Sequence, residues 1–413
     1  MDNKKYSMSW YFDKALDRKA ILLDGSNLNW FAYPLFDCIK DEINRTLNSP
    51  QPNMDWGYTY PGGLTKFREL IALHESFIEK TGIEKEDVII GGNGVTGVIN
   101  FICRFLSEEA KKTGKNELIY PVPSYSGLLM CFSSYDLKPV VVQTEREENF
   151  CISFDTISEK INKKTAAILI TNPNNPACCY FNDNKLKKIF EFAVKNDLYI
   201  ILDAIFEESP SRNPKFIQAF NITKNYNKLI KIKGFSKDIP QLSDLRLGWS
   251  ISKNKNFNDK MLEYGEATNY SNSSFLEELG KQVMQHRVWL DQGIENESVA
   301  KYKSNLEYYH KKIFYGLDKA LELLGKSTVF NDHIIPDAGN IIFASIDKDI
   351  CIKKGIYDSH ELFLYILEKT NILVTPGHVF GLDFDKLWFR ITVSKEPEVV
   401  FDSLKQIERL FMN

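Results

Sequence analysis

The sequence predicts an α/β fold built on a mostly parallel sheet with helices on both faces. Three observations carry this: apolar runs of strand length alternate with helix-period segments, those runs end in turn or polar residues, and 413 residues with 43% apolar content suffice for a large core. In chain order the runs are DVIIGGNG (87–94), ELIYPVPSY (117–125), PVVVQT (139–144), AAILITNPNNP (166–176), YIILDAIF (199–206) and LIKIKGFSK (229–237). They are rich in Val, Ile and Leu, too short for buried helices, and separated by stretches such as DNKLKKIFEFAVKND (183–197). Strands covered on both faces by crossover helices read in this way. Each run finishes in Gly, Pro, Asn, Asp or Ser or leads into them, and open α/β sheets bind ligands at the carboxyl ends of their strands. From Gln292 to Gly325 the chain reads as a long helix, expected to bend or break near Gly316. GNIIFASI (339–346), HELFLYILEKTN (360–371), ILVTPGHVF (372–380) and KLWFRITVS (386–394) then form a smaller α/β unit. We expect a large domain over 49–295, a small domain over 296–413, and an N-terminal segment, 1–48, that belongs to the small domain.

Composition narrows the function. The balance of 52 basic against 55 acidic side chains provides no broad cationic surface for nucleic acid, so a small-molecule partner fits better. The opening MDNKKYSMSWYFDKALDRKA has no apolar segment after its charges, and no run of about 18 apolar residues follows later. Neither export nor membrane insertion is expected. Seven cysteines without a C-x-x-C pair read as reduced thiols of a cytoplasmic protein, and six histidines without ligand spacing argue against a metal site.

Chemistry gathers at the strand ends. Lys237 lies just past LIKIKGF and is followed in KDIPQLSDLRLGW by Arg246; TNPNNP ends another run, and ILDAIFEE sets Asp203 at the end of a third. GVTGV sits between DVII and the helix-like VINFICRFL, so its amides should open a helix N-terminus suited to phosphate. Together with YTYPGGLTKFREL, PVPSYSGL, VTPGHVFG and FRITVS, in this order, these segments make most of the chain resemble the fold-type I aminotransferases of class I/II, the superfamily that includes aspartate aminotransferases.

The resemblance implies a seven-stranded-type sheet in the large domain, pyridoxal 5'-phosphate as cofactor, and transfer of an amino group between an α-amino acid and a 2-oxo acid. It implies a homodimer with shared active sites, and neither nucleic acid nor membrane as partner. It makes Lys237 the lysine that holds the cofactor as an aldimine and later shuttles protons. Asp203 would pair with the pyridine nitrogen, keeping the ring an electron sink. Asn175 would donate to the ring oxygen, and Tyr125 would stack on the ring. Val95, Thr96 and Arg246 would hold the phosphate, with Tyr58 reaching the phosphate of the neighbouring subunit. Arg390, and Asn27 in the Gly25-Ser26-Asn27 segment, would bind the substrate α-carboxylate. Asn172 and Asn174 are expected as turn residues.

Several positions depart from the family pattern. Phe206 stands where a tyrosine would bond the ring oxygen, which should leave that oxygen more basic and raise the aldimine pKa. Gly234 replaces a phosphate-binding Ser or Thr, Ala177-Cys178 replaces Thr-Gly, and the Lys237 to Arg246 interval is nine residues, one longer than in many members. These changes suggest a divergent branch. They keep open an alternative outcome on the same scaffold, a lyase, cyclase or oxidase acting on an amino acid in a specialised pathway.

Overall fold

A computed structural model describes residues 7–23, 32–48 and 57–412. In chain order β1 (Ile21–Leu22) precedes β2 (Val88–Gly91), β3 (Glu117–Val122), β4 (Lys138–Gln143), β5 (Thr165–Thr171), β6 (Tyr199–Asp203), β7 (Leu229–Gly234) and β8 (Gly248–Ile251). There follow β9 (Phe330–Ile334), β10 (Ile341–Ile346), β11 (Ile372–Leu373), β12 (Thr375–Pro376) and β13 (Trp388–Thr392).

The central sheet has seven strands in the order β2-β8-β7-β6-β5-β3-β4. All pairings are parallel except those of β8, which runs antiparallel to both β2 and β7. β5, β6 and β7 are buried along their whole length, which is why their sequences lack the in-out alternation of a half-exposed strand. Crossover helices such as Gly94–Thr113 and Asp183–Lys195 cover the faces; Asn182 caps the second through the amides of Asn184 and Lys185.

A second sheet, β12-β13-β10-β9, is antiparallel throughout. The helix Met8–Asp17 packs its Tyr11 and Ala15 against Phe363 and Leu367, and β1 pairs in parallel with β11. The helix Glu297–Lys326 runs unbroken through Gly316, contrary to the break expected there. A Cβ at Gly316 would stand 3.6 Å from Val393 and 3.7 Å from Pro397, ordinary van der Waals contact, so the helix tolerates this glycine without a break and the site would also accept a small side chain. Among the described residues no helix is long and apolar enough to cross a membrane.

Candidate active site

The parallel strands deliver their carboxyl ends to one edge of the sheet. In register, Thr171 of β5 lies beside Asp203 of β6, and Asp203 beside Ile232 of β7; Lys237 follows three residues after β7 ends at Gly234. Asp203 is buried and accepts a hydrogen bond from the Ile205 N–H at 3.2 Å. Burial pushes its pKa up to about 6, against the lowering pull of that bond and of Lys237. The Lys237 ammonium stands over the Phe206 ring, 5.8 Å from the centroid, and Ser209 Oγ donates to the Lys237 carbonyl at 3.0 Å. Phe206 belongs to an apolar cluster with Cys178, Ile205 and Ile341, on which Val95 packs.

Three glycines form a row across the same edge, Gly91 of β2 beside Gly248 of β8 beside Gly234 of β7. A Cβ on Gly91 would lie 2.7 Å from Val98, and one on Gly248 would lie 2.4 Å from the Val95 nitrogen. The row therefore lets the start of the helix Gly94–Thr113 descend onto the sheet. On Gly234 a Cβ would meet the Leu247 carbonyl at 2.7 Å and Val95 at 3.2 Å. The missing hydroxyl at this position is thus a packing requirement, since no side chain fits. Val95 and Thr96 open the helix, where amides have no carbonyl one turn earlier to receive them. Arg246, at φ 50°, spans the same turn: its carbonyl accepts from the Gly94 N–H at 2.6 Å and its Nη2 donates to the Asn93 carbonyl at 2.8 Å.

On the opposite side, Arg390 of β13 reaches over from the second sheet, donating from Nη1 to Asn175 Oδ1 at 3.3 Å and resting on Phe380. Asn172 and Asn174 are turn residues: Asn172 Oδ1 accepts from the Phe181 N–H, and Asn174 bonds Asn149, Phe150 and Cys179. Tyr125 follows β3, and burial raises its pKa against the lowering influence of Arg390 and Arg246. The structure therefore gathers Val95, Thr96, Tyr125, Asn175, Asp203, Lys237, Arg246 and Arg390 around one edge. Tyr58 stands apart on the surface, 83% exposed, its ring edge-on to Tyr270. Asn27 lies outside the described residues.

Beneath the lysine runs a buried ionic network that the motif reading missed. Lys231 bonds Glu75, Glu79 and Glu207; Lys233 bonds Glu75, Glu207 and Glu208; Arg287 joins Glu208 to Asp238. His74 sits between Glu208 and Asp291 at 2.7 and 2.6 Å; burial alone would lower its pKa, but the two carboxylates push it up to about 9. A signal was present in LIKIKG, because lysines two apart on a fully buried strand share a face and demand acidic partners.

This site fits pyridoxal phosphate. A buried acid whose burial resists ionisation suits a protonated ring nitrogen, and an anion placed at the helix start would meet amides and Arg246 together. Comparison with known proteins agrees. The profile of the family described as aminotransferase class I and II matches residues 26–404. A probable aspartate/prephenate aminotransferase of Aquifex aeolicus is 22% identical over 90% of this chain and 87% of its own. An aromatic-amino-acid aminotransferase of Thermococcus litoralis is 23% identical over 90% and 86%. The crystal structure of an aspartate aminotransferase from Thermotoga maritima superimposes with a TM-score of 0.79 at 20% identity, covering 97% of this chain and 95% of that one. Relatives of this kind favour amino-group transfer over a lyase, cyclase or oxidase outcome. With the matched profile spanning nearly the whole chain and the strand-end site fitting the cofactor, the protein belongs to the aminotransferase class I and II family and is a pyridoxal-phosphate-dependent aminotransferase.

Proposed function

We propose that Lys237 carries the cofactor and moves the reacting proton in an exchange between an α-amino acid and a 2-oxo acid. When bound, pyridoxal phosphate supplies an electron sink for the pair of electrons left on the substrate Cα. Asp203 holds the proton on the ring nitrogen, and its burial is the observation that carries the reading: an enclosed carboxylate with a raised pKa gains most from a cationic hydrogen-bond donor. Asn175 donates to the ring oxygen and Tyr125 covers the ring. The amides of Val95 and Thr96 hold the phosphate with the Arg246 guanidinium. Arg390 receives the substrate α-carboxylate, assisted by Asn27, and its contact with Asn175 ties carboxylate binding to the cofactor side of the site. With the cofactor bound, the Lys237 amine would be the group that takes the substrate Cα proton and passes a proton on across the amino nitrogen. Phe206 gives that amine an aromatic face, and the hydroxyl that the family tyrosine would direct at the ring oxygen is missing.

The working unit in this reading is a cytoplasmic homodimer in which Tyr58 of each chain completes the other chain's phosphate site. Residues 49–295 act as the large domain, 296–413 with 1–48 as the small one. The reading is tested by adding amino acids one at a time to the reconstituted enzyme without an acceptor. A reactive amino acid should convert the visible cofactor band in a single turnover, and a 2-oxo acid should restore it, with ping-pong kinetics in the steady state. Continued turnover without any 2-oxo acid would overturn amino transfer.

A further inference from the structure

Two loops bring Asp203 and Lys237 to the site, and one arginine from a distant helix ties them together. The loop after β6 runs from Asp203 through Phe206 to Glu208 and Ser209; the loop after β7 runs from Phe235 through Lys237 to Asp238. Arg287, on the helix Ser274–Asp291, is buried beneath both. Its Nη1 meets Glu208 Oε2 at 2.8 Å and its Nη2 meets Asp238 Oδ2 at 3.2 Å. Its guanidinium carbon also stands over the Phe235 ring at 5.3 Å, so the residues on both sides of the Phe235–Asp238 turn are gripped. Glu208 is in turn fixed by Lys233 at 2.8 Å and His74 at 2.7 Å, which makes the far end of the bridge rigid. The same loops also meet directly: the Ser209 hydroxyl donates to the Lys237 carbonyl at 3.0 Å, and the Lys237 ammonium stands over the Phe206 ring.

We propose that Arg287 is a positioning residue, a buried clamp that sets the placement of Lys237 relative to Asp203 and Phe206 without touching substrate or cofactor. The planar fork suits this task, because two carboxylates on separate loops are held at fixed angles, which a single ammonium cannot do. Arg287 and Asp238 are buried and the Glu208 side chain keeps only 12% of its exposure, so most of the clamp is shielded from the screening that weakens a surface ion pair. Angstrom-scale misplacement of a reacting group costs catalysis heavily, which gives a remote clamp its value.

The inference rests on Lys237 as the cofactor lysine, and the test keeps the two claims separate. In the unaltered holoenzyme, borohydride trapping followed by peptide mapping reports which lysine holds pyridoxal phosphate; capture elsewhere overturns the site reading and this inference with it. With capture at Lys237, two variants decide the clamp. Arg287→Lys keeps a charge but loses the fork. Arg287→Met with Asp238→Asn removes the cation together with the carboxylate it would strand, so that folding is preserved. For each, the visible circular dichroism per bound cofactor is read beside the melting temperature of the apoprotein. The clamp predicts an ellipticity at least twofold lower in both, from altered torsion at the lysine, with apoprotein melting within a few degrees of the parent for at least one. Unchanged ellipticity in both variants overturns the proposal. So does an ellipticity that falls only in step with melting temperature, which is what a merely structural role would give.

Discussion

A carboxylate enclosed at a strand end is costly to ionise, and Asp203 has that cost built in. Its pKa in the folded chain is raised from 3.8 to about 6, so the unfavourable contribution is absent below the unfolded value and fully present above the folded one. Apoprotein stability from this group therefore falls as pH rises through about 4 to 6. Asp203→Asn removes the cost, and the melting temperature of the variant apoprotein should rise relative to the parent from pH 4 to 7 and hold level above. The same change should weaken pyridoxal phosphate binding at least tenfold, because a neutral amide replaces the charged acceptor. Tighter binding by the variant, or a melting gap that ignores pH, would sink the assignment. Residues of this kind were legible in the sequence because the chemistry restricts the residue type and the strand ends restrict the place. Arg287 and Asp238 were not, since the pair joins positions 49 apart with no shared motif. Gly234 was legible as a departure yet open to misreading: its cause is the 2.7 Å approach of the Leu247 carbonyl, just before β8, a neighbour that only the fold reveals.

At the level of elements, the glycine row explains how a helix N-terminus can serve as an anion site on this sheet. Any Cβ at Gly248 points at backbone, the Val95 nitrogen at 2.4 Å and the Gly94 carbonyl carbon at 2.6 Å, which cannot rotate aside as a side chain would. Gly248→Ala should lift the helix start, destabilise the apoprotein by about 1–3 kcal/mol, and weaken pyridoxal phosphate at least tenfold. Gly82→Ala is the control, because nothing lies within 4 Å of a Cβ there. Denaturant melts and a cofactor titration check both, and parent-like binding by Gly248→Ala would show that the amides of Val95 and Thr96 are not the phosphate cradle. Elements were read well where periodicity is strong, as in the helix Asp183–Lys195 against the expected 183–197. They were read poorly where one residue type has two meanings. Gly316 signalled a break but lies within a continuous helix, because one glycine costs a helix only about 1 kcal/mol, and the lysines of β7 carried no motif although they anchor a buried network.

At the scale of the whole molecule, the question is why Tyr58, in the proposed phosphate set, is 83% exposed with its ring against another exposed aromatic, Tyr270. A tyrosine that served its own chain's site would be drawn toward Arg246. A large exposed aromatic pair is costly to leave in water and well suited to a partner surface. In a two-fold dimer each chain would lend this tyrosine to the other, so that Lys237 and Tyr58 of one working site come from different chains. Subunit mixing tests this directly. Lys237→Ala abolishes the site in its own chain, and Tyr58→Phe cripples the site of the opposite chain. Random reassociation of equal amounts leaves roughly a quarter of all sites with both groups intact, by the statistics of a two-fold dimer. If Tyr58→Phe alone keeps about a tenth of the activity, mixing should raise the total about fivefold above the sum of the separate proteins, a gain that the shared geometry of an isologous dimer requires. Size-exclusion chromatography of each parent sets the baseline. Activity equal to that sum after subunit exchange, with dimers present, would mean that each chain completes its own site and that Tyr58 acts elsewhere.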